Sequence, residues 1–201
     1  MDPRLPFAAP EHFILTRGYE TAPTHIGKDR YALDFTQDGC KAFGKPVLAG
    51  EGGIVELVRL ESKRSYGNVV FITHGNGQNS LYAHLKDVLV EVGQKVVMGQ
   101  KIGTVGNTGN VAGTACDNYP GTHIHFAMRQ SDVPFKPEPM SGYTNFTAGE
   151  WYVSDNALYD PNRALVEETA ARQLPRRTLF AQIGDWIAGL FGNSGTAETT
   201  S

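Results

Sequence analysis

Residues 67–85 read GNVVFITHGNGQNSLYAHL, and the fold class turns on this stretch. Gly67-Asn68 precedes Val69-Val70-Phe71-Ile72-Thr73-His74, a β-branched and aromatic run bounded by turn residues, which predicts a central strand. Gly75-Asn76-Gly77 closes it as a hairpin turn, and Ser80 to Leu85 returns as the partner strand. Alternation along that partner places Tyr82 and His84 on one face, with Leu81, Ala83 and Leu85 on the other. His74, at the end of its strand ahead of Gly75, reads as a satisfied turn or core histidine rather than a ligand.

The same grammar extends in both directions. Gly44-Lys45-Pro46 turns into Val47-Leu48-Ala49, and Gly52-Gly53 turns into Ile54-Val55-Glu56-Leu57-Val58. Val92-Gly93-Gln94-Lys95-Val96 is echoed by Met98-Gly99-Gln100-Lys101-Ile102, a repeat too short for a solenoid but suited to tight β corners. The chain has 201 residues, 23 of them glycine, and the glycines fall between Val, Ile, Phe and Tyr runs, a pattern that favours a mostly β core. One well-buried domain with extensions fits this length. The expected division is an irregular N-terminal arm at 1–24, a core domain at 25–155, a C-terminal helical extension at 156–194 and a disordered tail at 195–201. The formal net charge of −3 and the lack of a Lys/Arg block give no case for nucleic acid. Leu179, Ile183, Trp186, Ile187 and Leu190 form one stripe of a helix. Docking on protein is the preferred reading for that 179–191 helix over membrane contact, because its polar face lacks the Lys and Arg of interfacial helices.

Two clusters carry chemistry. His123-Ile124-His125-Phe126, if extended, turns both imidazoles into one cleft and sends Ile124 and Phe126 into the core. Upstream, Asp34 sits inside the apolar run Tyr31 to Phe35, and a carboxylate so placed calls for a partner or a metal. Neutral imidazole is a common zinc ligand, and catalytic zinc sites take three protein ligands and leave a fourth position for water. His25 and His84 complete the set of candidates. Cys40 and Cys116 are too few for a thiolate cluster, and read as one disulfide or as two buried thiols. Met1 to Pro10 has no long apolar stretch behind a basic segment, so it does not read as a secretory signal.

In their order, His25, Tyr31-Ala32-Leu33-Asp34-Phe35, Gly44-Lys45-Pro46-Val47, Tyr66-Gly67-Asn68-Val69-Val70, Tyr82-Ala83-His84-Leu85, Gly99-Gln100-Lys101-Ile102-Gly103 and Gly121-Thr122-His123-Ile124-His125-Phe126 resemble the M23 family of lysostaphin-like zinc metallopeptidases. The resemblance runs from about His25 to Arg129. It implies an antiparallel β-sheet domain with a substrate groove, related to barrel-sandwich folds. It also implies one zinc ion held by His25, Asp34 and His125, with His123 as general base and His84 stabilising the oxyanion. The implied activity is endopeptidase action on the peptide stems or cross-bridges of bacterial peptidoglycan, outside the cytoplasmic membrane, where an oxidising setting suits a Cys40–Cys116 bridge. A catalytically silent relative that binds wall or activates another hydrolase is the alternative. A lipoyl- or biotinyl-type carrier, suggested by the Gly-Gln-Lys repeats, is disfavoured because Lys95 and Lys101 sit inside strand-like runs. Many family members space the first pair of ligands as His-x-x-x-Asp, but this chain has Arg30 four residues before Asp34, and a guanidinium cannot be a ligand. The resemblance is closer to members in which a loop histidine precedes such a run, so His25 fills the role, with His12 as the fallback.

Overall fold

A computed structural model of the protein describes residues 2–113 and 117–162. The chain divides into two compact units, Met1–Tyr159 and Asp160–Ser201. The first is mostly antiparallel β, as expected, and holds every described strand: β1 (His12–Arg17), β2 (Leu33–Thr36), β3 (Pro46–Leu48), β4 (Gly53–Arg59), β5 (Asn68–Thr73), β6 (Gln78–Val88), β7 (Lys95–Val96), β8 (Lys101–Val105), β9 (Ile124–Gln130), β10 (Val133–Phe135) and β11 (Trp151–Val153). They run β11-β1-β2-β9-β6-β5-β4-β7 across one sheet, with β10 on β9 and the β3–β8 pair joined to β6. No helix among the described residues is long and apolar enough to cross a membrane. The 179–191 stripe and most of the predicted C-terminal extension lie outside the described residues.

The two faces of the central strands differ, and the difference makes the site. Leu33 and Phe35 of β2, Ile124, Phe126 and Met128 of β9, and Val70 and Ile72 of β5 point into the main core. The opposite face carries a smaller cluster of Ala32, Val69, Leu81, Ala83 and Ala127. Ala83 stands directly opposite His125 in the β6–β9 ladder, so short side chains leave room above the sheet where the imidazoles project.

Two expectations are corrected. The segment before residue 25 packs on the core, as an arm would, but it is not irregular throughout. His12–Arg17 pairs with both β2 and β11, and Leu5, Phe7, Phe13 and Leu15 are fully buried in the core. Burying such side chains contributes about 1.5–3 kcal/mol each, enough to order a Pro-rich stretch that lacks local periodicity. Nor do Tyr82 and His84 share a face. Tyr82 lies in the main core, its hydroxyl accepting from the Gly50 N–H at 2.9 Å, whereas His84 faces the groove. The cause is a β-bulge. His84 has φ of 60° inside β6, and the register slips from Val70↔Tyr82 to Asn68↔Leu85, three residues on one strand matching two on the other. The extra residue returns Leu85 to the core after Ala83 and His84 have both faced the groove.

Candidate metal centre

The groove above the β2–β9 ladder has a volume of about 470 Å³, and Arg17, Asp34, Tyr66, His84, His123 and His125 are among the residues that line it. Its floor follows from register. Arg17 of β1 pairs with Asp34 of β2, and Asp34 pairs with His125 of β9, so the three occupy one row across the sheet. Cross-strand neighbours in such a row present their side chains on the same face.

His25 reaches this row from the loop after β1. Its ring is fully buried while neighbouring Ile26 is 57% exposed, so the loop places an imidazole inside and leaves an apolar side chain in water. The carbonyl of Gly18 accepts from His25 Nδ1 at 2.6 Å, which leaves the Nε2 lone pair facing Asp34 Oδ1 at 3.2 Å. His125 Nδ1 lies 2.8 Å from the same oxygen. One ligand atom each from His25, Asp34 and His125 fall within 4.8 Å of one another, all three residues being buried. A tetrahedral zinc with ligands at 2.0–2.2 Å holds its donors about 3.3 Å apart, so this set fits the ion. The buried Nε2 of His25 has no hydrogen-bond partner in the protein, as expected of an atom reserved for a metal. His12 is far from this chemistry in kind: it lies exposed on β1 with its ring against Trp151 at 5.3 Å. Arg30, at the His-x-x-x-Asp position, is exposed and paired with Glu20.

The other two histidines stand beside the ligands, with ring centroids 4.6 Å apart. A carbonyl only accepts, so both tautomers are fixed. His123 Nδ1 donates to the Gly121 carbonyl at 2.7 Å and His84 Nδ1 to the Thr108 carbonyl at 2.8 Å. Each ring therefore turns a bare Nε2 into the groove. Burial, reinforced by the neighbouring imidazoles, pushes His84 down to about 3, and burial likewise lowers His123. For His125 burial is outweighed by the carboxylates of Asp29 and Asp34, which hold it up at about 9. Burial opposes ionisation of Asp34, yet the surrounding histidines keep its carboxyl well below the usual range.

His74 is satisfied on both sides, with Nδ1 against the Gly52 carbonyl and Nε2 against Ser80 Oγ, each at 2.9 Å, and belongs to the core. Asn68 shapes the bulge rather than the groove: its amide donates to the carbonyls of Leu85 and Lys86 at 3.0 and 3.2 Å. Asp29, Tyr66 and Arg129 stand at the site although sequence reasoning gave them no role there. The one signal for Arg129 was alternation, since it lies on the His125 face of β9, two residues past Ala127.

The sequence profile of peptidase family M23 matches residues 34–137. Peptidoglycan DD-endopeptidase ShyA of Vibrio cholerae is 38% identical over 114 residues, 57% of this chain and 24% of its own length. The lipoprotein NlpD/LppB homolog of Pseudomonas aeruginosa is 35% identical over 94 residues, 47% of this chain and 28% of that protein. The chain thus spans about a quarter of the length of these two relatives. Among solved structures, a zinc-containing peptidase from Vibrio cholerae superposes with a TM-score of 0.52 at 25% identity, covering 72% of this chain and 41% of that one. The catalytic domain of the prophage-encoded M23 protein EnpA from Enterococcus faecalis, at 24% identity and a TM-score of 0.50, shares the fold over 66% of this chain and 92% of its own.

Proposed function

The chain belongs to peptidase family M23, and from that premise we propose that it is a zinc-dependent endopeptidase hydrolysing peptide bonds of bacterial peptidoglycan. The observation that carries this reading is the buried donor set of His25, Asp34 and His125 at the floor of an open groove. Bound there, zinc would lower the pKa of a coordinated water toward about 7 and polarise the scissile carbonyl. The chain's own residues supply the rest. His123, neutral and with its Nε2 lone pair free, accepts the proton of the attacking water and returns it to the departing amine. His84 stabilises the negative charge that develops on the carbonyl oxygen. The Thr108 carbonyl keeps the ring's one proton on Nδ1 and burial disfavours a second, so Nε2 becomes a donor only as negative charge develops beside it and raises its affinity for a proton taken up from solvent.

Relatives named as peptidoglycan DD-endopeptidases support the substrate class, and that substrate lies outside the cytoplasmic membrane, which implies export or delivery from outside. An oxidising location suits a Cys40–Cys116 disulfide. Cys116 lies outside the described residues, and no cysteine among the described ones is free. Titration of thiols in the denatured protein tests the bridge: none without reductant and two with it are expected, whereas two in both states would remove it.

Metal analysis of the purified protein, combined with release of new amino groups from purified cell walls, tests the main reading. One zinc per chain, and cleavage lost on chelation and restored by zinc, are expected. A protein that takes up no zinc overturns it, and unit zinc without cleavage of any wall type would point to the silent, wall-binding alternative.

A further inference from the structure

Asp29 closes the 3-10 turn at Gly27–Asp29, five residues ahead of Asp34, and its carboxylate faces inward. Its Oδ1 accepts from Arg129 Nη2 at 2.8 Å and its Oδ2 from the Tyr66 hydroxyl at 2.5 Å. Arg129, almost wholly buried, also donates from Nε to the Lys28 carbonyl at 3.1 Å and from Nη2 to the Tyr66 hydroxyl at 3.1 Å. The guanidinium fork thereby grips both the side chain of Asp29 and the backbone one residue before it, leaving the carboxylate little freedom. What Asp29 faces is His125: its Oδ1 lies 3.6 Å from Nε2, a buried nitrogen without a hydrogen-bond partner.

We propose that Asp29 is the positioning residue of the metal centre, accepting the Nε2 proton of His125 and so committing Nδ1 of that ring to the metal. The inference rests on the reading of His25, Asp34 and His125 as zinc ligands. A neutral imidazole carries one N–H, and the nitrogen that carries it cannot ligate. An acceptor on one side of the ring therefore selects the ligand on the other. Asp34 cannot select it, because it lies on the Nδ1 side and is a ligand itself. Asp29 is the carboxylate on the Nε2 side, and a ring held by carboxylate is both better oriented and more basic. The separation of 3.6 Å is just beyond hydrogen-bond length, and a shift of His125 Nδ1 away from Asp34 to admit an ion leaves Nε2 as the edge that Asp29 steadies. Tyr66, whose ring centroid is 5.7 Å from that of His125, closes the same flank.

Competition against a chromogenic chelator gives the zinc affinity of the wild type and of Asp29→Ala, Asp29→Asn and Asp29→Glu, with thermal midpoints of the chelated proteins measured alongside. A loss of about 10–100-fold in affinity is expected for Asp29→Ala. Asp29→Asn keeps an oxygen acceptor without the charge and should lose less. Unchanged affinity in both, with only the midpoint lowered, would make Asp29 a structural residue and overturn the inference. Should the variants fail to fold, a two-bond proton–nitrogen imidazole spectrum of the zinc-loaded wild type decides. A proton on Nε2 of His125 supports the inference, and one on Nδ1 overturns it. A wild type that binds no zinc instead refutes the ligand reading on which this one stands.

Discussion

His25 and His84 are both buried imidazoles anchored through Nδ1 to a backbone carbonyl, yet their substitution should fail in different ways. His25 offers Nε2 to the donor set, so His25→Ala should lower bound zinc and activity together, as metal analysis against rate would show. His84 stands outside that set, so His84→Ala should keep its zinc while turnover falls by about 10²–10³-fold, the loss typical of an oxyanion donor. Zinc lost in proportion to rate in the second variant would remove the distinction. The preference for His25 over His12 came from the resemblance to members with a loop histidine ahead of such a run, since the exclusion of Arg30 by itself left both upstream histidines open. Asp29 was not legible, because a carboxylate in a Gly-Lys-Asp-Arg loop looks like any solvated charge until Tyr66 arrives from the turn before β5 and Arg129 from β9.

Among the elements, β6 departs furthest from its sequence. Period-two reading predicts that Tyr82 and His84 point the same way, and it fails because alternation cannot register an inserted residue. The neighbouring glycines held the clue. A Cβ on Gly106 would stand 2.8 Å from the His84 carbonyl oxygen and closer still to the Lys86 backbone nitrogen, so only glycine lets the loop after β8 lie against the bulge. That approach brings the Thr108 carbonyl onto His84. Gly106→Ala should therefore destabilise by about 1–3 kcal/mol through overpacking against backbone, seen as a lower denaturation midpoint. It should also depress turnover more than zinc content, because the displaced loop carries the His84 anchor. A variant with wild-type midpoint and rate would show that the loop tolerates the methyl group. By contrast, β9 was fully readable, because Ile124, Phe126 and Met128 alternate without interruption against His125, Ala127 and Arg129. Strands β1 and β11 were hidden for a different reason: they pair with each other, His12 opposite Val153, across well over a hundred residues that no local pattern spans.

For the molecule as a whole, the site charges set how stability depends on pH once metal is stripped. His84 is held down at about 3, so the unfolded chain binds the extra proton between there and the ordinary value near 6.5, and stability rises with pH through that window. His123, also lowered, adds to this limb, and below about pH 4 protonation of Asp29 and Asp34 deepens the loss. His125 has the opposite sign. Held up at about 9, it contributes stability that is complete below 6.5 and lost as pH rises through its folded value. Thermal unfolding of the chelated protein should be latest near pH 6.5, and His84→Gln should flatten the acid limb. Loading zinc should abolish the alkaline decline, because metal takes the place of the proton on His125; an alkaline limb unaltered by zinc would contradict the donor set. The groove is assembled from two sources. Asp34, His84, His123 and His125 fall within residues 34–137, whereas Arg17 and Thr24 of the lining and the buried donor His25 come from sequence ahead of that span. A small-molecule inhibitor that merely captures the metal would thus act indiscriminately across relatives, and selectivity for this chain would have to be won by extending the compound over β2 onto the rim that carries Arg17 and Thr24.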